Sequence, residues 1–184
     1  METNSPGEAG PPGVLDRQAG SRDAVTALYA EHAVGLIRLA VVMLGDRAVA
    51  EEVVQEAFCG LYRHWGRLSD PGKALPYARS AVLNGCRSAL RRRARWQSVS
   101  VTGPQVWETA ESAESSVLAS EEHREVLAAL RRLPDRQREA LVLRFYLELG
   151  EAEIAESMGI TPGTVKSTTS RALAALGRLL EEAR

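Results

Sequence analysis

Residues able to do chemistry gather in two places, and in both the chemistry is contact with a polyanion rather than catalysis. Between Thr161 and Arg178 the chain carries Thr164, Lys166, Ser167, Thr168, Ser170, Arg171 and Arg178, and no acidic residue follows until Glu181. Projected at about 100° per residue, Thr164, Ser167, Thr168, Arg171 and Arg178 share one side, flanked by Lys166 and Ser170. Val165, Thr169, Ala172, Leu173, Leu176, Leu179 and Leu180 take the other. Hydroxyls near the start of such a helix can bond base edges or phosphates, while Arg and Lys neutralise phosphate charge. That pattern suits entry into a DNA major groove; an ordinary helical hairpin with a solvated face is the alternative. The second cluster is Asn84, Arg87, Ser88 and Arg91, at i, i+3, i+4 and i+7, running into Arg92, Arg93 and Arg95. The preference for cations at a helix C-terminus reaches only the last turn, so five arginines in residues 87–95 point to a polyanion partner.

These residues need helices to position them. The first cluster sits in a helix-turn-helix over Glu151–Leu180: Ala152, Ile154, Ala155 and Met158 can face a core, and Gly159 stops the short helix in the left-handed conformation open to glycine. Thr161 then caps the second helix, with Pro162 at the first helical position, where its missing N–H costs nothing. The second cluster ends a helix from about Ala74 to Arg95, whose apolar stripe is Leu75, Ala78, Val82, Cys86 and Ala89. Before it, Val25, Leu28, Leu36, Ala40 and Leu44 share one helical face. Val49, Val53, Ala57, Leu61 and Trp65 share another, with Gly45-Asp46 between the two helices and Ser69-Asp70-Pro71-Gly72 as a loop after them. Leu130, Leu141 and Phe145 offer a core to helices starting near Glu121 and after Pro134.

The expected fold class is therefore all-α, with two small helical domains joined by a flexible linker. Residues 1–22, rich in Gly and Pro, read as a disordered tail. Residues 23–96 form the first domain, 97–120 the linker and 121–184 the second domain. The linker has no helical periodicity and is too long for an ordinary connection inside one compact domain; Trp107 is its one large aromatic side chain. The overall net charge of −1 hides a segregation: −1 in the tail, +4 over 23–96, −3 in the linker and −1 in the remainder. Cys59 and Cys86 make neither a metal-ligand spacing nor a disulfide framework, His32, His64 and His123 stand apart, and no Gly-rich phosphate loop occurs. The chain reads as a non-enzyme needing no cofactor and no metal. With no apolar signal core, and the best apolar run, Leu36–Leu44, broken by Arg38, no membrane insertion is expected, and the protein is expected to be cytoplasmic.

Four stretches in order resemble bacterial RNA polymerase sigma factors of the compact extracytoplasmic-function group, over roughly residues 23–182. AEEVVQEAF (Ala50–Phe58) is similar to the region 2 helix that docks on the polymerase clamp. PYARSAVLNGCRSALRRR (Pro76–Arg93) is similar to the helix that reads and helps open the −10 element. LRRLPDRQREALVLRFY (Leu130–Tyr146) resembles the start of region 4, and IAESMGITPGTVKSTTSRAL (Ile154–Leu173) its −35-reading motif. The resemblance implies that Glu52, Gln55 and Glu56 contact core RNA polymerase. It implies that Asn84, Arg87, Arg91 and Arg92 meet promoter DNA near the −10 element, and that Lys166, Ser167 and Arg171 face the −35 groove with Thr164 and Arg144 beside them. It also implies a monomer on the polymerase, associated with the nucleoid through it, and for many members an anti-sigma protein covering the polymerase-facing surfaces. The connector would thread toward the enzyme's cleft and RNA exit path.

Departures from the family pattern bear on specificity. Members often have Asp where Glu52 and Ser88 stand, Trp where Tyr77 stands and a larger basic residue where Thr168 stands. A hydroxyl cannot make the bidentate guanine contact that Arg makes, so Thr168 bears on which −35 bases are read. The competing reading is a stand-alone helix-turn-helix regulator that binds a palindromic operator as a dimer. A protein-binding interaction module is the third.

Overall fold

The structure, a computed structural model, describes residues 12–68, 70–99 and 121–183. Seven α-helices follow one another among them: α1 (Pro12–Leu44), α2 (Arg47–His64), α3 (Ala74–Val99), α4 (Glu121–Arg132), α5 (Asp135–Leu141), α6 (Glu151–Met158) and α7 (Pro162–Glu181). Among the described residues there is no strand. Helix α1 starts at Pro12, well before the expected start near Asp23, so the tail expected over 1–22 is helical from Pro12 on. Proline at a first helical position is favourable, because its φ is already helical. Residues 1–11 and most of the linker, Trp107 included, lie outside the described residues.

Local chemistry sets the boundaries. Asp46 caps α2, its Oδ1 accepting from the Val49 N–H at 3.1 Å. Asp70 does the same for the 3₁₀ turn Pro71–Lys73, accepting from Gly72 at 2.8 Å. Gly159 ends α6 at φ 65°, and Thr161 caps α7 by accepting from Thr164 at 3.2 Å. After α5 the chain widens into a π-helical turn, Val142–Tyr146, closed by Leu147 N–H to Val142 O at 3.2 Å.

The three N-terminal helices bury Leu36, Leu39, Met43, Val54, Leu61, Val82 and Leu83 against one another, each large aliphatic contributing about 1.5–3 kcal/mol. The Gly20–Leu44 part of α1 is long and apolar enough to cross a membrane by length and composition. Here its Val25, Leu36, Leu39, Ala40 and Met43 face the bundle core instead, and Arg38 is exposed. The C-terminal helices have a small core of their own, Leu133, Leu141 and Ala172 with Leu130, Leu176 and Leu179.

The two blocks do not stand apart. Ala140, Val142, Leu143, Leu149, Ile154, Ala155, Met158 and Val165 of the second block belong to the same buried cluster as the first block's core. Arg138 seals the junction. Its Nη1 donates across to Met43 O at 2.6 Å, while Nε and Nη2 donate to Leu130, Arg131 and Leu133 carbonyls at 3.0 Å each. Leu130 and Arg131 lie in the last turn of α4, where helix carbonyls lack intrahelical partners. Burial pulls the Arg138 guanidinium below its ordinary value, and the carbonyls replace its lost water.

Candidate nucleic-acid and polymerase interfaces

Helix α7 presents its candidate residues as one exposed face. Thr164, Lys166, Ser167 and Arg171 are all exposed, because Val165, Thr168 and Ala172 turn the opposite side into the core. Thr164 and Ser167 are held by local bonds: Thr164 Oγ1 lies 2.9 Å from Thr161 Oγ1, and Ser167 Oγ donates to Thr164 O at 3.1 Å. Arg171 Nε donates to Ser167 O at 3.1 Å, which leaves its terminal nitrogens for an outside acceptor. Arg144 is exposed on the π-helical turn and donates to Leu149 O at 3.1 Å.

Four sequence expectations on this block are corrected. Thr168 was assigned to the polar face but is only 7% exposed. The buried stripe runs 165, 168, 172, one residue out of phase with the expected stripe through Thr169. Thr168 therefore packs inward. Phe145, expected in the core, is 60% exposed. The π turn inserts an extra residue per turn and rotates Phe145 and Tyr146 outward. There they rim an apolar groove of about 330 Å³ floored by Val42, Leu130, Leu141 and Leu176. Ala152 and Leu173 are likewise exposed rather than buried.

On α3, Asn84, Arg91 and Arg92 are exposed, as is Arg93. Arg91 Nη2 donates to Ser88 Oγ at 3.1 Å. Arg87 is different: its side chain is 14% exposed, with Nη2 on Asn84 Oδ1 and Nη1 3.4 Å from Glu139 Oε2. Glu139, fully buried on α5, also meets Arg136 Nη1 at 3.2 Å through the same oxygen. Burial pushes the Glu139 carboxyl above the ordinary carboxylate range, with Arg87 and Arg136 opposing the shift.

Glu52, Gln55 and Glu56 are exposed together on α2. Glu56 pairs with Arg63 at 2.6 Å. Gln55 lines an open groove of about 640 Å³ between α1 and α2 with Tyr29, Phe58, Cys59 and Tyr62. Tyr29 packs edge-on against Phe58 with ring centroids 5.0 Å apart. The groove combines apolar floor with charged rim, the usual make-up of a protein contact surface.

Contacts between the blocks went unread in the sequence. Arg79 Nη1 lies 3.4 Å from Glu153 Oε1, Lys73 Nζ 3.9 Å from Glu156 Oε1, and Ser80 Oγ donates to Ser157 O at 2.8 Å. The bonded partners from α3 are 52 to 77 residues apart in the chain, and no local periodicity signals such pairs. Among the described residues no group of three His, Cys, Asp or Glu could hold a metal ion.

Comparison with known proteins gives both blocks a family. The sigma-70 region 2 model matches residues 28–96, and the sigma-70 region 4 model matches residues 123–176. The ECF RNA polymerase sigma factor BldN of Streptomyces coelicolor is 32% identical over 90% of this chain and 63% of its own length. The chain thus spans just under two thirds of that relative. The ECF RNA polymerase sigma factor SigL of Mycobacterium tuberculosis is 33% identical over 85% of this chain and 88% of its own length. Among solved structures, CnrH in complex with the cytosolic domain of CnrY aligns at a TM-score of 0.67, covering 92% of this chain and 96% of that one. Its 22% identity makes this a likeness of fold.

Proposed function

Since the chain belongs to the extracytoplasmic-function RNA polymerase sigma factors, we propose that it binds core RNA polymerase and directs promoter-specific initiation through its two helical blocks. It acts as a specificity factor in the cytoplasm and not as an enzyme: the polymerase makes the RNA, and this chain chooses where. Residues 23–96 act as region 2 and 121–184 as region 4, with 97–120 as the connector.

The observation that carries this reading is the pair of exposed polar faces, one on each block. On α7, Thr164, Lys166, Ser167 and Arg171 form a hydroxyl-and-cation surface with no carboxylate among them, suited to the −35 major groove. On α3, Asn84, Arg87, Arg91 and Arg92 supply the −10 contacts, where unstacking a base costs a few kcal/mol and nearby cations hold the separated strand. Glu52, Gln55 and Glu56, beside the α1–α2 groove, supply the clamp contact, and Arg144 adds a phosphate contact beside α6. A protein that covers the polymerase-facing groove would act as an anti-sigma factor.

Purified chain, core polymerase and a promoter library test the reading. The expected result is run-off transcripts sharing two spaced elements. Arg91→Glu with Arg92→Glu should weaken open-complex formation at every promoter. Lys166→Ala and Arg171→Ala should cost about 1–3 kcal/mol each at promoters that need the −35 element and little elsewhere. A stable dimer on a palindromic operator without polymerase would overturn the proposal in favour of a stand-alone regulator.

A further inference from the structure

Beyond Leu90, helix α3 leaves the bundle. Its buried residues end at Cys86, and Ala89 and Leu90 are the last to pack against the core. From Arg91 to Trp96 all six residues are exposed. That run exceeds one helical turn, so no face of this helix end is buried. Trp96 stands seven residues after Ala89 and fourteen after Val82, on the line of the core stripe, yet it is 70% exposed. The stripe has outrun the helices that would cover it. Most other exposed large apolar side chains gather in grooves: Tyr29 and Tyr62 line the one between α1 and α2, Phe145 and Tyr146 the one over Leu141. Trp96 joins neither. Its neighbours three and four residues back are Arg93 and Arg92, on the same side of the helix. Helical side chains lean toward the N-terminus, which lays the indole over that turn. Helix α3 carries no acidic residue.

We propose that Trp96 is a stacking platform for an unpaired DNA base at the edge of the −10 element, with Arg92 and Arg93 on the adjoining phosphates. The inference rests on the sigma-factor reading and deepens it, adding a contact that the polar run from Asn84 to Arg92 does not make. A protein partner docks on a contiguous apolar patch that excludes water, and a lone indole among cations offers none. Single-stranded DNA matches both parts of the site: every base has a π-face to lay on an aromatic ring, and the backbone supplies the anions. Duplex DNA matches less well, because its bases stack on one another and show only their edges in the grooves. Strand opening during initiation supplies the unpaired base. Along the helix, Trp96 lies about 18 Å from Asn84 at about 1.5 Å per residue, roughly five stacked steps of about 3.4 Å on one strand. A base met there lies outside the steps contacted at Asn84. Stacking accepts any base, so Trp96 adds affinity and open-complex lifetime rather than sequence preference.

The test uses the full chain carrying Trp107→Phe, whose remaining tryptophans are Trp96 and Trp65, the latter packed against the core. The probes are a single-stranded DNA of random sequence and an abasic strand of equal length. The base-bearing strand should quench Trp96 emission and the abasic strand should not. Trp96→Ala should weaken binding of the base-bearing strand by about 5- to 100-fold. It should leave abasic binding and the salt dependence unchanged, because no phosphate contact is lost. Trp96→Tyr should restore most of the affinity, whereas Arg92→Ala should weaken both strands and reduce the salt slope by about 1. Thermal melts by circular dichroism should not move with Trp96→Ala, since an exposed side chain holds no core. With core polymerase, Trp96→Ala should shorten open-complex lifetime while co-purification with core enzyme stays the same. Absence of quenching by the base-bearing strand, equal loss on both strands, or no loss on either overturns the proposal. So does a loss of core binding in place of DNA binding, which would assign Trp96 to a protein contact. Absence of promoter-directed transcripts would instead overturn the sigma-factor reading, and the strand-binding measurements, which need no polymerase, separate the two.

Discussion

At Thr168 one residue of helical phase decides what α7 can read. The side chain is buried beside Val165 and Ala172, so the missing basic residue there is no lost base contact. In the −35 contact proposed above, the preference falls to Lys166, Ser167 and Arg171, which stay on the surface. Thr168→Arg should therefore overpack the α7 face and lower stability by about 1–3 kcal/mol, seen as a lower Tm, with no new guanine preference in a promoter selection. The two cysteines differ by the same logic of burial. Burial pushes the Cys86 thiol up to about 12, while Cys59 is exposed in the α1–α2 groove. A thiol reagent should titrate one cysteine quickly in the native chain and two after denaturation, since only thiolate reacts. Modification of Cys59 should then impede polymerase binding, measured by co-purification with core enzyme.

Helices α2 and α3 cross at Gly85, where a Cβ would stand 2.6 Å from Val53 Cγ1. Glycine costs a helix interior about 1 kcal/mol relative to alanine, so intrinsic propensity favours Gly85→Ala. The clash with a β-branched, stiff side chain outweighs it. The substitution should destabilise by about 1–3 kcal/mol, read from a denaturant midpoint at unchanged slope. Since Gly85 adjoins Asn84 and Arg87, the same change should disturb −10 contacts more than −35 contacts. The helices themselves were legible: Thr161 with Pro162 caps α7 and Gly159 stops α6 as expected, while Asp46 and Asp70, read only as parts of a break and a loop, turn out to be caps. The extended start at Pro12 and the π-helical turn were not. The first follows a Gly- and Pro-rich composition that argues locally for no helix. The second is imposed by how Val142 and Leu143 bury while the chain turns toward α6.

Across the whole molecule the joined core makes Arg138 the residue on which both blocks depend. Its guanidinium bonds Met43 O in one block and three carbonyls in the other. Arg138→Ala should leave several buried acceptors unmet and cost about 3–5 kcal/mol, with thermal melts losing their single transition. Glu139 gives the folded chain a pH dependence. Its folded value lies above the ordinary one because of burial, so the native chain holds this proton more tightly than the unfolded chain does. Its contribution is favourable below the ordinary carboxylate range, and is lost as pH rises through the raised value. Glu139→Gln should therefore be more stable than wild type at neutral pH, with the gap closing as pH falls toward the ordinary range. A pH series of urea midpoints for the two proteins checks it. Arg87, Arg136, Arg138 and Asp135 also face this site, and all are shared by both proteins, so the comparison isolates Glu139.

Periodicity, capping residues and the placement of charge were enough to derive an all-helical chain, its helix-turn-helix, the basic end of α3 and, through four ordered motifs, the family. Such signals are local: they depend on residues three or four apart, or on composition over a short stretch. The phase of α7 at Thr168, the exposure of Phe145 and the carboxylates closing over Lys73, Arg79 and Arg87 were decided only when the blocks packed. Those contacts join residues dozens of positions apart, whose meeting depends on which apolar faces share a core, and that choice is made by the assembled structure and not by any one stretch of sequence.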